Sequence, residues 1–286
     1  MQFELLRIAI ALAGLLAATY YDLFNRRNVP VSITYFMIGT GFLLNLATLD
    51  LTLIGFSSLA ALLVFALGYL VYRSGQIGGA DVLIFASLAL LFPSAPASLL
   101  KPPVPPLFEY PFVVSVFMLS GLLSIFGMAM AYIPRIVRDA AKGRVTVSLS
   151  SAVSAAALLI AFLSVLYVLS PVVPFQPAQL ALVLVVLALA VSLLLFKDHI
   201  SATMIEWVPI SQIDDEDVIS LERLDEKVVA KYGLQRVATK EELAKLRKTR
   251  LRKFPVFKGM PAFVPYMLLA IALLLVFGDP FWLLLY

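Results

Sequence analysis

The chain has 286 residues, 62% of them hydrophobic and only 14% charged, with a net charge of +4, no Cys and a single His. A soluble domain carries about a quarter charged residues, so this composition excludes an ordinary soluble globular protein and indicates a polytopic membrane protein. The lack of Cys excludes disulfide frameworks, thiolate zinc sites and a Cys nucleophile, and one His, His199, argues against a multi-His metal centre.

Several apolar stretches reach the ~20 residues needed to cross ~30 Å of hydrocarbon. Taken in chain order, hydropathy predicts spans at 4–21, 31–48, 53–72, 81–98, 111–133, 147–169, 178–196 and 262–278. The expected fold class is an all-α polytopic membrane protein of about eight transmembrane helices with a small cytoplasmic domain. The spans are broken at Asn25–Pro30, Asp50, Ser74–Gly79, the Pro-rich stretch Pro93–Pro111, Pro134–Arg144 and Pro171–Pro177, and a long polar segment follows Lys197. The apolar tail FWLLLY, after Gly278-Asp279-Pro280, is too short to cross, and its aromatics suit a membrane interface. This reading divides the chain into transmembrane helices 1–7 over 1–196, a soluble module over 197–258, and a last helix with its tail over 259–286.

Basic residues orient the set. Arg26, Arg27, Arg73, Arg135, Arg138, Lys142 and Arg144 fall in alternate gaps, joined by thirteen Lys/Arg between Lys197 and Lys258. The opposite gaps hold only Lys101. The asymmetry puts the N-terminus outside and the 197–258 segment in the cytoplasm of a multi-pass plasma-membrane protein. The first span is not read as a signal peptide, because Glu4 and Arg7 weaken its n-region and Arg26-Arg27 follow the apolar run. The positive charge lies where topology and anionic lipid headgroups want it, so membrane lipid is an expected partner and nucleic acid is not.

Outside 139–242 the carboxylates are Glu4, Asp22, Asp50, Asp81, Glu109 and Asp279. Four of them fall at outer-side ends or loops. Asp22 ends the first span and Asp81, in SGQIGGADVLIF (residues 74–85), begins the fourth, both on the cytoplasmic side. Two crossings separate them, so the chain returns to the same leaflet and both carboxylates lie at similar depth. Two carboxylates that meet near a membrane boundary share a proton and titrate as a coupled unit. One can take a proton from water attacking a peptide carbonyl while its protonated partner hydrogen-bonds the carbonyl oxygen. Such chemistry needs neither metal nor other cofactor. Gly75, Gly78 and Gly79 let the loop entering the fourth span take strained φ/ψ and let backbone approach a carboxylate or an extended substrate; a generic interhelical turn is the plain alternative.

Gly78-Gly79-Ala80-Asp81 resembles the GxGD motif of intramembrane aspartyl proteases, and Asp22 matches their first catalytic Asp. The order, Asp ending span one and the motif opening span four, resembles type IV prepilin peptidases, as does Asp22 followed by Arg26, Arg27, Val29 and Pro30. No Cys-rich module precedes the core, which resembles the shorter archaeal prepilin and preflagellin peptidases. Their cytoplasmic domain before a final span is similar to 197–258 followed by MPAFVPYMLLAIALLLVFGD. The resemblance covers about 1–140 and 255–280. Three departures stand out: Ala80 replaces the second motif Gly, Leu83 stands where a Lys is common, and the pair 147–169 and 178–196 makes eight spans where six are usual. We read that pair as an insertion after the fifth span. The resemblance implies an aspartic endopeptidase with Asp22 and Asp81 as acid and base and Gly78, Gly79 and Ala80 shaping the approach. It also implies partners: pilin- or archaellin-like precursors with class III signal peptides, cleaved on the cytoplasmic side between a short basic leader and an apolar helical segment.

Other features carry two readings each. Asp214–Asp217 either steers a basic leader or is a solvated acidic turn. TKEELAKLRKTRLRKF (239–254) has helix-forming composition with Thr239 and Glu242 in a capping-box pattern, lying along the membrane or in solvent. MPAFVP (260–265) resembles the Pro-Ala-Leu motif of presenilins and would line a site through Pro261; a proline-initiated span explains it equally. Tyr20 and Tyr21 either contact Asp22 or sit in the aromatic belt, and Arg26 and Arg27 are candidate substrate contacts. His199 follows a basic flank and is not assigned a catalytic role. The rival function is a proton- or cation-coupled transporter using the same two aspartates, since intramembrane ionisable residues mark transport paths. It calls for carboxylates nearer the midplane and matching broken helices in two repeats; no convincing repeat is visible.

Overall fold

The structure is a computed structural model and describes residues 3–25, 29–100, 110–171, 176–214, 217–249 and 251–279. It is mostly helical. Among the described residues five helices are long and apolar enough to cross a membrane: α1 (Glu4–Phe24), α3 (Leu51–Arg73), α5 (Phe112–Ala140), α6 (Leu149–Leu169) and α7 (Pro177–Leu195). Three shorter apolar helices accompany them: α2 (Val31–Leu46), α4 (Gly79–Leu91) and one near the C-terminus. Leu5, Leu62, Leu70, Leu163 and Tyr167 are all more than 40% exposed, an outward apolar surface far beyond what a soluble monomer tolerates. This is the architecture of a polytopic membrane protein.

α1 buries Arg7, Ala11, Gly14, Leu15, Ala18 and Asp22, residues spaced by three and four that form one helical stripe. The stripe carries Asp22 inward at its last turn. Asp50 starts α3 by accepting hydrogen bonds from the Thr52 and Leu53 N–H groups at 2.9 and 3.2 Å, as an N-cap carboxylate does.

α4 is the hub. Its 13 residues rise only about 20 Å, and every residue from Ile84 to Leu91 is buried. The span predicted over 81–98 stops early because Pro93 cannot donate to the helix and pushes the preceding Phe92 out of the α region, to φ −123° and ψ 76°. The helix ends inside protein, where its last carbonyls need donors. Arg7 Nη1 donates to the Leu90 and Leu91 carbonyls at 3.2 and 3.1 Å, and Asn45 Nδ2 donates to Leu90 at 3.0 Å. A cation at the negative end of the helix is also favourable electrostatically. Arg7 is fully buried in this role.

α5 runs through Pro134 to Ala140, beyond the expected end at 133. α6 and α7 pair with each other, and α7 rests on α5. Few of their side chains are buried, so the pair leans against the bundle without extending its core.

The segment after α7 corrects the all-α expectation. α8 (Lys197–Met204) leads into β1 (Ile205–Val208); α9 (Glu226–Tyr232) and α10 (Lys240–Lys248) follow, then β2 (Phe254–Phe257). β1 and β2 pair antiparallel, Ile205 opposite Phe257 and Val208 opposite Phe254, both strands being rich in the β-branched and aromatic residues that fit a pleated surface. The helix read over 239–254 therefore ends at Lys248. Thr239 does cap it, accepting from the Glu242 N–H, but the Glu242 carboxylate accepts from the Gln235 N–H at 2.9 Å and pairs with Lys245. Ile219, Leu246, Phe254 and Val256 centre a core separate from that of the helix bundle. Asp198 on α8 ties this segment to α6, accepting hydrogen bonds from Ser148 and Ser151 at 2.5 and 2.9 Å, which hold its carboxyl below the usual range. His199 lies 3.3 Å from Asp139 on α5.

The last helix, α11 (Val264–Phe277), packs against α1 and α5. Its far end meets Leu99 and Leu100, whose N–H groups donate to the Leu275 and Val276 carbonyls, and Asp279 accepts from Tyr110 and Ser115. The C-terminal end of α1 and the N-terminal ends of α4 and α11 meet at the opposite end of the bundle. The tail 281–286 lies outside the described residues.

Candidate functional site

At that end a cavity of about 800 Å³ opens between the helix bundle and the β1–β2 segment, and Asp22 and Asp81 both line it. Asp22, 7% exposed, is carried in by the α1 stripe. Its Oδ2 accepts the backbone N–H of Val264 at 3.0 Å, so the first turn of α11 orients it. Asp81 is half-buried in the first turn of α4, and its Oδ2 accepts the N–H of Gly78 at 3.2 Å, the return half of a capping box. Each carboxylate is therefore fixed through one oxygen by a backbone donor at a helix N-terminus, where negative charge is favoured. Sequence reasoning missed the Val264 contact, because a backbone donor leaves no mark in residue identity; Val264-Pro265 at a helix start is its faint trace.

The glycines divide by cause. Gly75 adopts φ +74°, a region L-residues rarely enter. Gly78 does not need its freedom: φ −72° and ψ 148° suit any residue, which corrects the expectation of strain there. What Gly78 lacks is bulk, since a Cβ would stand 3.0 Å from Asp81 Oδ2. Gly79 begins α4, and Ala80 follows with an ordinary helical φ, its methyl packed on the bundle core.

Pro261 lines the cavity together with Met260, Ala262 and Phe263, in the irregular stretch before α11. Tyr21 does not: it packs with the bundle core, edge-on to the exposed Tyr20. Arg26 and Arg27 lie outside the described residues, as do Asp215 and Glu216 of the acidic run. Asp214 and Asp217 stand on the cavity wall with Lys258, whose Nζ is 2.5 Å from Asp217 and 3.5 Å from Asp214. His199 is not on the wall. Lys197, Ser201, Ser124 and Tyr266 are, and sequence spacing did not single them out. Gly127 makes room for Tyr266, whose hydroxyl a Cβ there would overlap. Among the described residues no group of three or more His, Asp or Glu side chains could hold a metal ion.

In this polytopic helical membrane protein two carboxylates, on helices one and four, face a single cavity, and carboxyl groups are among the side chains that serve as general acids and bases. Residues 9–133 match the model of the type IV leader peptidase family. The matched region holds both aspartates and ends before α6. A similar curated protein is the prepilin peptidase EppA of Methanothermobacter thermautotrophicus, 30% identical over 141 residues. That match covers 46% of this chain and 36% of the relative, so the chain spans well under two thirds of the relative's length. No solved structure matches the chain.

Proposed function

We propose that this protein is a membrane-embedded aspartic endopeptidase that removes the short basic leader of pilin- or archaellin-like precursors, with Asp22 and Asp81 as its catalytic pair. The observation that carries the reading is that the two carboxylates, on separate helices of a region that matches the type IV leader peptidase model, line one cavity. One carboxylate, ionised, takes a proton from water as its oxygen attacks the scissile carbonyl. The other, protonated, donates to the carbonyl oxygen as the carbonyl carbon becomes tetrahedral. Collapse breaks the C–N bond, and the proton taken from water passes to the leaving amine. The Val264 and Gly78 N–H groups hold the two carboxylates in register for this exchange.

All eight apolar helices serve as membrane crossings, with the N-terminus outside and the β1–β2 segment in the cytoplasm. α4 and α11 manage this at reduced length because their ends are met by protein. The cleavage site then faces the compartment in which precursors are made. The competing reading, ion-coupled transport, asks for carboxylates near mid-membrane; Asp22 in the last turn of α1 and Asp81 in the first turn of α4 favour the peptidase.

The test is direct. Purified protein in detergent, given a synthetic precursor of basic leader and apolar helix, should release the leader as one fragment by mass spectrometry, with or without EDTA. An intact precursor, or cleavage abolished by EDTA and restored by a metal, would overturn the proposal.

A further inference from the structure

A second cavity, about 360 Å³, lies among α2, α3 and α4 and adjoins the first across Val29, Tyr72, Gly79 and Ala80, which line both. Its remaining wall is apolar and aromatic: Tyr35 from α2, Phe65 and Tyr69 from α3, Val82 and Leu83 from α4. Phe65, Tyr69 and Tyr72 recur at helical spacing on one face of α3, with consecutive rings about 6 Å apart (6.1 and 6.0 Å). Tyr35 and Tyr69 are 63% and 44% exposed, so this wall opens outward from the bundle. Thr34 also lines it, with its hydroxyl donating to the Val31 carbonyl in its own helix.

We propose that this groove receives the apolar helical segment of the precursor, entering sideways from the bilayer, while the leader lies in the larger cavity against the β1–β2 segment. The proposal rests on the endopeptidase reading. The chemistry of the two cavities fixes the direction. A substrate that is basic on one side of its scissile bond and apolar on the other needs a polar and an apolar subsite on either side of the catalytic pair. The larger cavity carries the charged side chains of Asp214, Asp217, Lys258 and Arg236 on its wall, no charged side chain lines the smaller one, and Gly79 and Ala80, next to Asp81, are common to both. A chain passing from one to the other crosses the N-terminus of α4 beside the Asp81 carboxylate. Lipid acyl chains are the competing occupant of such a groove.

Photocrosslinking separates the possibilities. A benzophenone amino acid replaces Tyr69 in one sample and Arg236 in another, each in the Asp81→Asn background, and the precursor is presented in phosphatidylglycerol-containing proteoliposomes. We expect Tyr69 replacement to yield adducts mapping to the apolar segment and Arg236 replacement to yield adducts mapping to the leader. Separately, Leu83→Trp, which fills the groove, should raise KM at least tenfold for the full precursor with kcat within threefold. It should leave cleavage of a peptide truncated soon after the scissile bond unchanged. Lipid-only adducts at position 69, leader adducts there, or an unaltered KM in a folded Leu83→Trp protein would overturn the groove while wild-type cleavage stands. If wild-type protein does not cleave at all, it is the peptidase reading that fails.

Discussion

Replacing Gly78 with Ala separates the placement of a carboxylate from the integrity of the fold. Gly78 has φ −72° and ψ 148°, open to any L-residue, so the change adds no backbone strain. It also narrows the unfolded ensemble, favouring folding by about 0.4–1 kcal/mol. Against that, the new methyl would stand 3.0 Å from Asp81 Oδ2, inside the ~3.5 Å of comfortable contact. The carboxylate must withdraw by roughly 0.5 Å, stretching the 3.2 Å bond from the Gly78 N–H. A hydrogen bond of this type contributes about 0.5–1.5 kcal/mol net. The two effects offset, and the thermal midpoint in detergent should stay within about 3 °C of wild type. Catalysis has no such compensation. A reacting group misplaced by 1 Å costs about 100-fold, so half that displacement should lower kcat on the order of tenfold, with KM little changed. Initial rates of leader release alongside a melting curve read both quantities. Wild-type kcat in Gly78→Ala would refute the reasoning, as would a large fall in stability. Gly75→Ala is the contrast: with φ at +74° and Val218 Cγ1 3.0 Å from the new Cβ, it should destabilise the fold by about 1–2 kcal/mol.

Arg7→Met leaves the Leu90 and Leu91 carbonyls without their guanidinium donor, and should lower stability by about 2–3 kcal/mol in a detergent melt; an unchanged midpoint would contradict that role. Gly127→Ala forces Tyr266 off the cavity wall and should reduce cleavage several-fold, whereas unaltered kinetics would show that Tyr266 does not shape the site. Asp198 titrates below its usual value because Ser148 and Ser151 donate to its carboxylate. The stabilisation it gives the α6–α8 junction is present above the unfolded pKa of about 3.9 and lost as pH falls through the lower folded value. Asp198→Asn should therefore flatten the stability profile below about pH 4, modestly, because the carboxylate is largely solvated; equal profiles for the two proteins would contradict the linkage.

Much of the bundle was legible because its signals are local or cumulative. Runs of apolar residues located every bundle helix, and counting crossings brought Asp22 and Asp81 to one end without any knowledge of packing. The end of α4 was misplaced by seven residues because hydropathy continues through Phe92 while Pro93 stops the helix. In the sequence Arg7 counted only against a signal peptide; tertiary structure reveals the α4 carbonyls it serves, more than eighty residues away. The β1–β2 pair joins strands about fifty residues apart, beyond the reach of helix-period patterning, and the Val264 N–H belongs to no side chain. What escaped the sequence was thus backbone chemistry and long-range partnership, which residue identity encodes only through the finished fold.

The central claim is that Asp22 and Asp81 act as one unit on one water molecule, and kinetics of Asp22→Asn, Asp81→Asn and the double variant on a synthetic precursor test it most directly. Residues that function as a unit give strongly non-additive losses. Each single substitution should abolish leader release as completely as the pair, with all three proteins folded by melting. Appreciable cleavage by either single variant, or losses that simply multiply in the double, would contradict the account.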